Sequence, residues 1–160
     1  PMIFQGQEFL QGEWFRDDVP LDWDHDASFA GIVRLYRDLI HLRRNVDGVS
    51  LGLTGQHLDV FHANDPHNVV AFRRWAEGGP GDDVVVVMNL GHQPLHDYVV
   101  GLPAAGTWRL LLNRDARVYS PDFADTPSGD IEAVEEVYDG RPARGVLTIG
   151  AYSVLVYGRV

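Results

Sequence analysis

The chain has 160 residues, of which 45% are hydrophobic and 22% charged, as in an ordinary globular protein. Its formal net charge is −10, with 23 acidic residues against 13 arginines and no lysine. This balance argues against binding to nucleic acid or anionic membranes, which requires a positive field. Cysteine is absent, which excludes disulfides and thiolate metal sites. The longest apolar run, 84–88, is too short to span a bilayer, and no signal peptide is legible, so we expect a cytoplasmic protein.

The first predicted element is a short buried strand over residues 1–5. PMIF is compact and apolar, and it is followed at once by the polar QGQE. A strand of this kind is typical of the middle of a parallel sheet that is covered on both faces. The chain shows no neighbouring strands for it, so we expect that it belongs to a larger sheet.

The second predicted element is an amphipathic helix over 28–44. Arg43 and Arg44 suit the negative end of the helix dipole, Asp26 or Ser28 can cap its start, and Gly48 lies just beyond its end. Leu35 and Leu42 widen an apolar stripe with i, i+3, i+4 spacing, which consists of Phe29, Ile32, Val33, Tyr36, Leu39 and Ile40.

After Gly48 the hydrophobic period changes to two, which predicts an antiparallel all-β domain. Turn-forming residues separate seven predicted strands, at 57–63, 68–76, 83–90, 97–102, 107–113, 145–150 and 152–158. Residues 114–144 predict a long loop with one strand near 134–138. The fold class is therefore mainly β, an antiparallel sandwich. Its expected core includes Val60, Val70, Phe72, Val85, Val87, Leu110, Leu112, Val154 and Val156.

Three motifs in the first region carry a family resemblance. The GQEF box, the LDW tripeptide and the helix RDLIHLRR resemble the last strand, loop and helix of the (β/α)8 barrel in the alpha-amylase superfamily, most closely in 1,4-alpha-glucan branching enzymes. FHANDPHNVVAFRRW and DDVVVVMNLG resemble the all-β domain that follows that barrel. The resemblance implies two domains, a barrel end at 1–47 and a sandwich at 48–160, and a chain that is the C-terminal piece of a larger enzyme.

The resemblance also implies that the catalytic acids precede this segment, since they follow earlier barrel strands. We therefore expect no catalytic residue, no metal ligand and no cofactor here. Gln7 and Glu8 are the candidates for bracing the active-site end of the barrel, although Glu8 could equally end a strand in solvent. Trp14 and Trp23 could stack on sugar rings, which aromatic faces favour, or Trp23 could dock its loop.

Other chemistry has weaker support. The seven histidines are scattered, and the alternation of the first β-domain strand predicts that His57 and His62 lie on opposite faces, so neither makes a metal site. Glu8 paired with Asp17, Asp18 or Asp22 is a poor catalytic dyad because nothing fixes their separation. The alternatives that remain open are the C-terminal part of an alpha-amylase or a trehalose-releasing hydrolase, and a non-catalytic glucan-binding sandwich.

The expected partners follow from this interpretation: an alpha-glucan through the parent enzyme, and the barrel of that enzyme. The helix stripe would otherwise need a substitute cover, because six apolar side chains in water forfeit on the order of 10 kcal/mol. That cover would be the sandwich of the same chain or the helix face 29–40 of a second copy, which would give a homodimer.

Overall fold

The computed structural model describes residues 2–14 and 16–160, and the described part is mainly β. Two helices come first, α1 (Asp24–Ser28) and α2 (Ala30–Arg43). The strands are β1 (His57–Asn64), β2 (Val69–Trp75), β3 (Val84–Asn89), β4 (Leu95–Leu102), β5 (Gly106–Asn113), β6 (Ile131–Ala133), β7 (Ala143–Ile149) and β8 (Ser153–Arg159). Short 3-10 turns lie at Gln7–Phe9, Leu51–Leu53 and Asp65–His67. In the ranges described, no helix is both long and apolar enough to cross a membrane.

The strands form two antiparallel sheets that pack face to face. The larger has the order β1-β2-β3-β8-β5-β6 and the smaller is β4-β7. A backbone bridge between Val134 and Arg144 joins the two sheets on the β6 side. The sequence prediction of a mainly β fold with an antiparallel sandwich is confirmed, and each of the seven strands predicted between 57 and 158 overlaps an observed one. The single strand expected near 134–138 lies slightly earlier, at β6.

The larger of the two hydrophobic cores lies between the sheets. Trp108, Tyr157, Leu155, Val85 and Val87 are fully buried in it. These residues come from the central strands β3, β5 and β8, whose alternating side chains point to opposite faces of the sheet.

A second, smaller core lies on the outer face of the large sheet. Leu35 and Leu42 of α2 pack there against Val84, Val86 and Val156. This explains why β3 reads as VVVV instead of an alternating pattern, since both of its faces are covered. Helix α2 therefore uses the sandwich of its own chain as a support.

Two predictions for the first region are wrong. Of the predicted strand 1–5, Pro1 lies outside the described residues, and residues 2–5 form no strand. A parallel strand needs neighbours to pair with its N–H and C=O groups, and the chain supplies none. The predicted helix 28–44 is interrupted at Phe29 (φ −116°, ψ 30°), so that Asp26 and Ser28 fall in α1 and neither side chain caps α2.

The face of α2 that is covered also differs from the prediction. The side chains that reach the sheet are Leu35 and Leu42, both 9% exposed, whereas Leu39 and Ile40 of the predicted stripe are 43% and 40% exposed. The covered side of the helix also carries Gly31, which lies against the backbone of Tyr119.

A β-bulge in β1 corrects two further expectations. The register shifts between Val60 and His62, with Val60 opposite Phe72 and His62 opposite Ala71. The extra residue puts His57 and His62 on one face of the strand, not on opposite faces. Val60, expected in the core, is 55% exposed, because it lies on the edge strand on the outer face of the sheet, away from the strands whose side chains pack on α2.

Candidate substrate-facing loop

The segment 4–11 folds around one buried ring. Phe9 is 1% exposed, and the chain reverses around it through left-handed backbone at Gly6 (φ 84°) and Leu10 (φ 56°). The Gln11 N–H donates to the Gly6 carbonyl at 2.9 Å, which closes the turn. A Cβ at Gly6 would lie 2.7 Å from Cβ of Gln11, so this turn requires glycine.

Gln7 and Glu8 lie on that turn with different surroundings. Gln7 is exposed, and its Oε1 accepts a 2.9 Å hydrogen bond from the Phe4 N–H. Glu8 is half-buried and lines a groove of 330 Å³ that also includes Tyr36, Arg37 and Arg44. Its Oε2 is buried and accepts no hydrogen bond within the described part of the chain. Glu8 therefore points toward α2 and does not simply end a strand in solvent.

The two candidate tryptophans do not come together. Trp23 precedes α1, and its ring lies 5.3 Å from the ring of Phe9, which docks the loop while leaving Trp23 67% exposed. Trp14 is 89% exposed. The structure thus brings Trp23 against Phe9, whereas Glu8 faces the groove beside α2 and Trp14 is exposed to solvent.

Two carboxylates of this loop, those of Asp18 and Asp22, are in surface ion pairs. Arg16 binds Asp18 at 2.9 Å, and this guanidinium lowers the pKa of Asp18. Asp22 lies 3.5 Å from Nε2 of His25, and its N–H donates to Oε1 of Gln11. These contacts fix the path of the loop and give no carboxylate pair facing a common cavity. Across residues 2–14 and 16–160, no group of three histidine or acidic side chains is placed to hold a metal ion.

An apolar surface, the bare face of α2, adjoins the Glu8 groove. Leu39 and Ile40 line it with Tyr36, Met2 and Ile3, in a groove of 310 Å³ edged by Arg43 and Arg44. Met2 is 83% exposed and Ile3 41%. Neighbouring apolar side chains exposed in this way are typical of an interaction surface.

The covered side of α2 is locked to the sandwich by specific contacts. A Cβ at Gly31 would lie 2.3 Å from the carbonyl oxygen of Tyr119, so helix and loop are in close backbone contact. The Tyr119 hydroxyl donates to Oδ2 of Asp38 at 2.8 Å. Burial first, and then this hydrogen bond, raise the pKa of Tyr119 well above its usual value. The position of the helix, and with it that of Glu8, is therefore set by the sandwich.

One polar cluster lies outside the residues that the sequence indicated. His62 Nδ1 is 2.9 Å from Oδ2 of Asp139, and its Nε2 is 2.7 Å from the Tyr98 hydroxyl. Asn64 donates to the same hydroxyl at 2.9 Å, and the Gly101 N–H donates to Asp139 at 2.8 Å. The cluster joins β1 to β4, at the edge of the large sheet opposite the Val134–Arg144 bridge. The bulge in β1 creates it, and no signal in a single sequence reveals that bulge.

A two-sheet antiparallel sandwich with a helix on its outer face and a short loop beyond that helix defines an all-β domain preceded by a helical segment. Known proteins agree with this class. Residues 60–160 match the model of the alpha amylase C-terminal all-beta domain. The chain belongs to that family.

Curated relatives extend the match over nearly the whole chain. The 1,4-alpha-glucan branching enzyme GlgB of Mycobacterium tuberculosis is 35% identical over 159 residues, which is 96% of this chain and 21% of that protein. The branching enzyme of Cereibacter sphaeroides is 35% identical over 153 residues, or 92% of this chain and 20% of that protein. The chain thus spans about a fifth of the length of the curated relatives it matches.

Solved structures show the same fold. An alpha-amylase from H.orenii superposes with a TM-score of 0.52 at 25% identity, covering 90% of this chain and 24% of that chain. A type I pullulanase from Bacillus subtilis complexed with maltose has a TM-score of 0.60 at 19% identity and covers 100% of this chain and 21% of that chain. The resemblance to the C-terminal part of an alpha-amylase-superfamily enzyme is therefore confirmed.

Proposed function

We propose that this chain acts as the C-terminal part of a 1,4-alpha-glucan branching enzyme, in which residues 1–47 complete a (β/α)8 barrel and the sandwich at 48–160 supports it. The parent activity would be the cleavage of an α-1,4 linkage and transfer of the cut chain to a 6-hydroxyl, through acids outside this segment. The observation that carries the proposal is the bare face of α2. Its Leu39 and Ile40 remain exposed although the opposite side of the same helix is buried.

The energetic argument concerns that face. Burying a leucine or isoleucine side chain is worth about 1.5–3 kcal/mol, so a surface that ends in these residues gains by acquiring a cover. A barrel wall is the cover that the similarity to branching enzymes supports. Glu8 lies beside the same groove, with one carboxylate oxygen that no described donor reaches. In this proposal Gln7 and Glu8 brace the barrel rim, Trp14 contacts glucan, and Trp23 holds the loop through Phe9.

The test is complementation in trans. The chain is mixed with the portion of the M. tuberculosis branching enzyme that precedes its matching segment, and new α-1,6 linkages are measured. We expect branching only from the mixture, and the combined change of Leu39→Asp and Ile40→Asp to abolish it. The control is Leu58→Asp, since Leu58 is 57% exposed on β1 and away from the helix. Undiminished branching by the double variant would contradict the proposal.

In a second arrangement, the helix face 29–40 of another copy of the chain covers the same surface, which gives a homodimer. In the isolated chain it would double the mass seen by light scattering, and the double variant would restore the monomer. A cytoplasmic location is part of the proposal, supported by the acidic, cysteine-free composition, and cell fractionation tests it.

The alternative parent is an alpha-glucan hydrolase, which the 25% identity with the H.orenii amylase favours. The same mixture distinguishes the two activities. A hydrolase releases new reducing ends without α-1,6 linkages, whereas a branching enzyme forms those linkages with little net release.

A further inference from the structure

A crevice of 280 Å³ separates the first turn of α2 from the loop 117–122 of the sandwich. Its volume is close to the lower end of small-molecule sites, which begin at about 300 Å³. It shares no residue with the Glu8 groove or with the loop that carries Trp14 and Trp23.

The walls of the crevice are held in place from both sides. Gly31 lies directly against the Tyr119 carbonyl, and the Tyr119 hydroxyl binds Asp38 behind it. The loop is braced by the Arg117 N–H, which donates to Oδ1 of Asp125 at 3.1 Å. A ligand would thus meet a preformed site and would have little ordering to impose.

The lining combines an apolar patch with unpaired charges of opposite sign. Phe29 and Ile32 are half-buried in one wall, and Val118 is 51% exposed in the other. Arg117 and Asp122, both exposed, also line the crevice, and among the described residues neither takes part in an ion pair. Ser28 and Ser120 also line the crevice.

This chemistry selects a particular class of ligand. The opposite charges cancel, so the crevice has no net preference for an anion or a cation. A carboxylate and a guanidinium are each planar groups that can bind two oxygens at once, which suits vicinal hydroxyls. The apolar wall suits the C–H face of a ring. A neutral polyhydroxylated ring meets all three conditions.

We propose that this crevice is a binding site for one or two glucosyl units of an α-1,4-glucan, held by Arg117 and Asp122 against Phe29. The choice of glucan among neutral sugars rests on the proposed function. The site would hold a glucan chain on the sandwich side of the junction, apart from the Trp14 loop.

The probe is maltotriose, titrated into the ¹⁵N-labelled full chain and followed by amide shifts in NMR spectra. We expect saturable shifts at Phe29, Gly31 and Val118. Arg117→Ala and Asp122→Ala should each raise the dissociation constant about tenfold or more, which corresponds to 1.4 kcal/mol. Both residues are exposed, so these variants are expected to fold. The matched control is Arg109→Ala, an exposed arginine on β5, which should leave the constant unchanged.

Absence of shifts at the crevice, or equal affinity in the variants and the parent, would overturn the proposal. Shifts confined to Trp14 and Trp23 would do the same while leaving the proposed function standing. Crevice binding in a chain that fails to complement the barrel would support this site and count against the proposed function.

Discussion

The sandwich and the first 28 residues are stabilised in different ways. In the sandwich, each of β2, β3, β5 and β8 has a hydrogen-bonded neighbour on both sides, and the core between the sheets includes five residues at 0% exposure from β3, β5 and β8 alone. Among residues 2–14 and 16–28, the buried ring of Phe9 holds the segment together, with short turns and surface ion pairs around it. The difference shows that the sandwich contains its own source of stability, whereas the N-terminal region relies on what it contacts.

The largest expected effect lies in the sandwich. Trp108 is 0% exposed, and its Nε1 donates to the Ala104 carbonyl at 3.0 Å. Trp108→Ala should lower the free energy of unfolding by about 3–5 kcal/mol, through lost burial and the cavity left behind. Urea unfolding of the full chain measures it.

The control for Trp108 is Trp14→Ala, at an 89% exposed position. It should change the unfolding free energy by less than about 0.5 kcal/mol. If the two variants lost similar stability, the contrast between the regions would be wrong.

The next effect concerns the junction between the regions. Gly31→Ala would place a methyl group 2.3 Å from the Tyr119 carbonyl oxygen, so helix and loop would have to separate. Overpacking of this kind costs about 1–3 kcal/mol. Hydrogen exchange should accelerate in α2 and at Gln7–Phe9 while β3 and β8 keep their protection.

Gly129→Ala is the matched control for Gly31, since nothing lies within 4 Å of a Cβ at that position. It should leave exchange in α2 unchanged. Equal acceleration in β3 would mean that the helix and the sandwich unfold as one unit.

The sequence predicted the sandwich far better than the first region, for a physical reason. Val85 and Val87 were identified as core because strand alternation is a local property and their neighbours are in the same chain. The stripe with Leu39 and Ile40 was also read from its period, but the period does not say which side a support will cover. The strand at 1–5 failed because strand formation needs partners, and a resemblance to a barrel does not supply them.

The candidate loop shows the same limit. Trp23 was left open between sugar contact and docking; its ring contacts Phe9, yet it remains 67% exposed. The roles of Gln7, Glu8, Trp14 and Trp23 stay predictions. The cluster of His62, Asp139 and Tyr98 could not be predicted, because it depends on a bulge and on a contact across 77 residues.

A third prediction uses pH to test the turn that receives the linker from α2. Asp82 accepts hydrogen bonds from the N–H groups of Ala76, Glu77 and Gly78 at 2.9, 2.6 and 2.5 Å, and its own carbonyl accepts from the Gly52 N–H. Burial opposes ionisation of Asp82, but the three N–H groups outweigh it and lower its pKa.

Since the folded pKa lies below the unfolded value of about 3.9, the stabilisation by Asp82 is present above that pH and is lost as pH falls through the folded pKa. Asp82→Asn should remove about 1.5–3 kcal/mol at pH 7 and flatten the acid limb of the stability curve. Parallel acid limbs in the variant and the parent would show that the turn does not depend on the charge of Asp82. Glu132→Gln, an exposed carboxylate on β6, is the control.

The smallest effect isolates a single contact between the two regions, the hydrogen bond from Tyr119 to Asp38. Tyr119→Phe keeps the ring and removes only the hydroxyl, and Asp38 is exposed enough to turn to water. The loss should therefore be about 1 kcal/mol near neutral pH.

Burial and Asp38 raise the pKa of Tyr119 in the folded chain, so its stabilisation is complete below the unfolded value of about 10 and is lost as pH rises further. The parent should thus lose stability above pH 10 more steeply than the variant, whereas Tyr157, also buried with a raised pKa, contributes equally to both. Urea midpoints measured from pH 7 to 11 give the two slopes. If the slopes coincide and the midpoints at pH 7 agree, the Tyr119 hydroxyl does not stabilise the contact between helix and sandwich. The close backbone contact at Gly31 alone would then hold the helix in place.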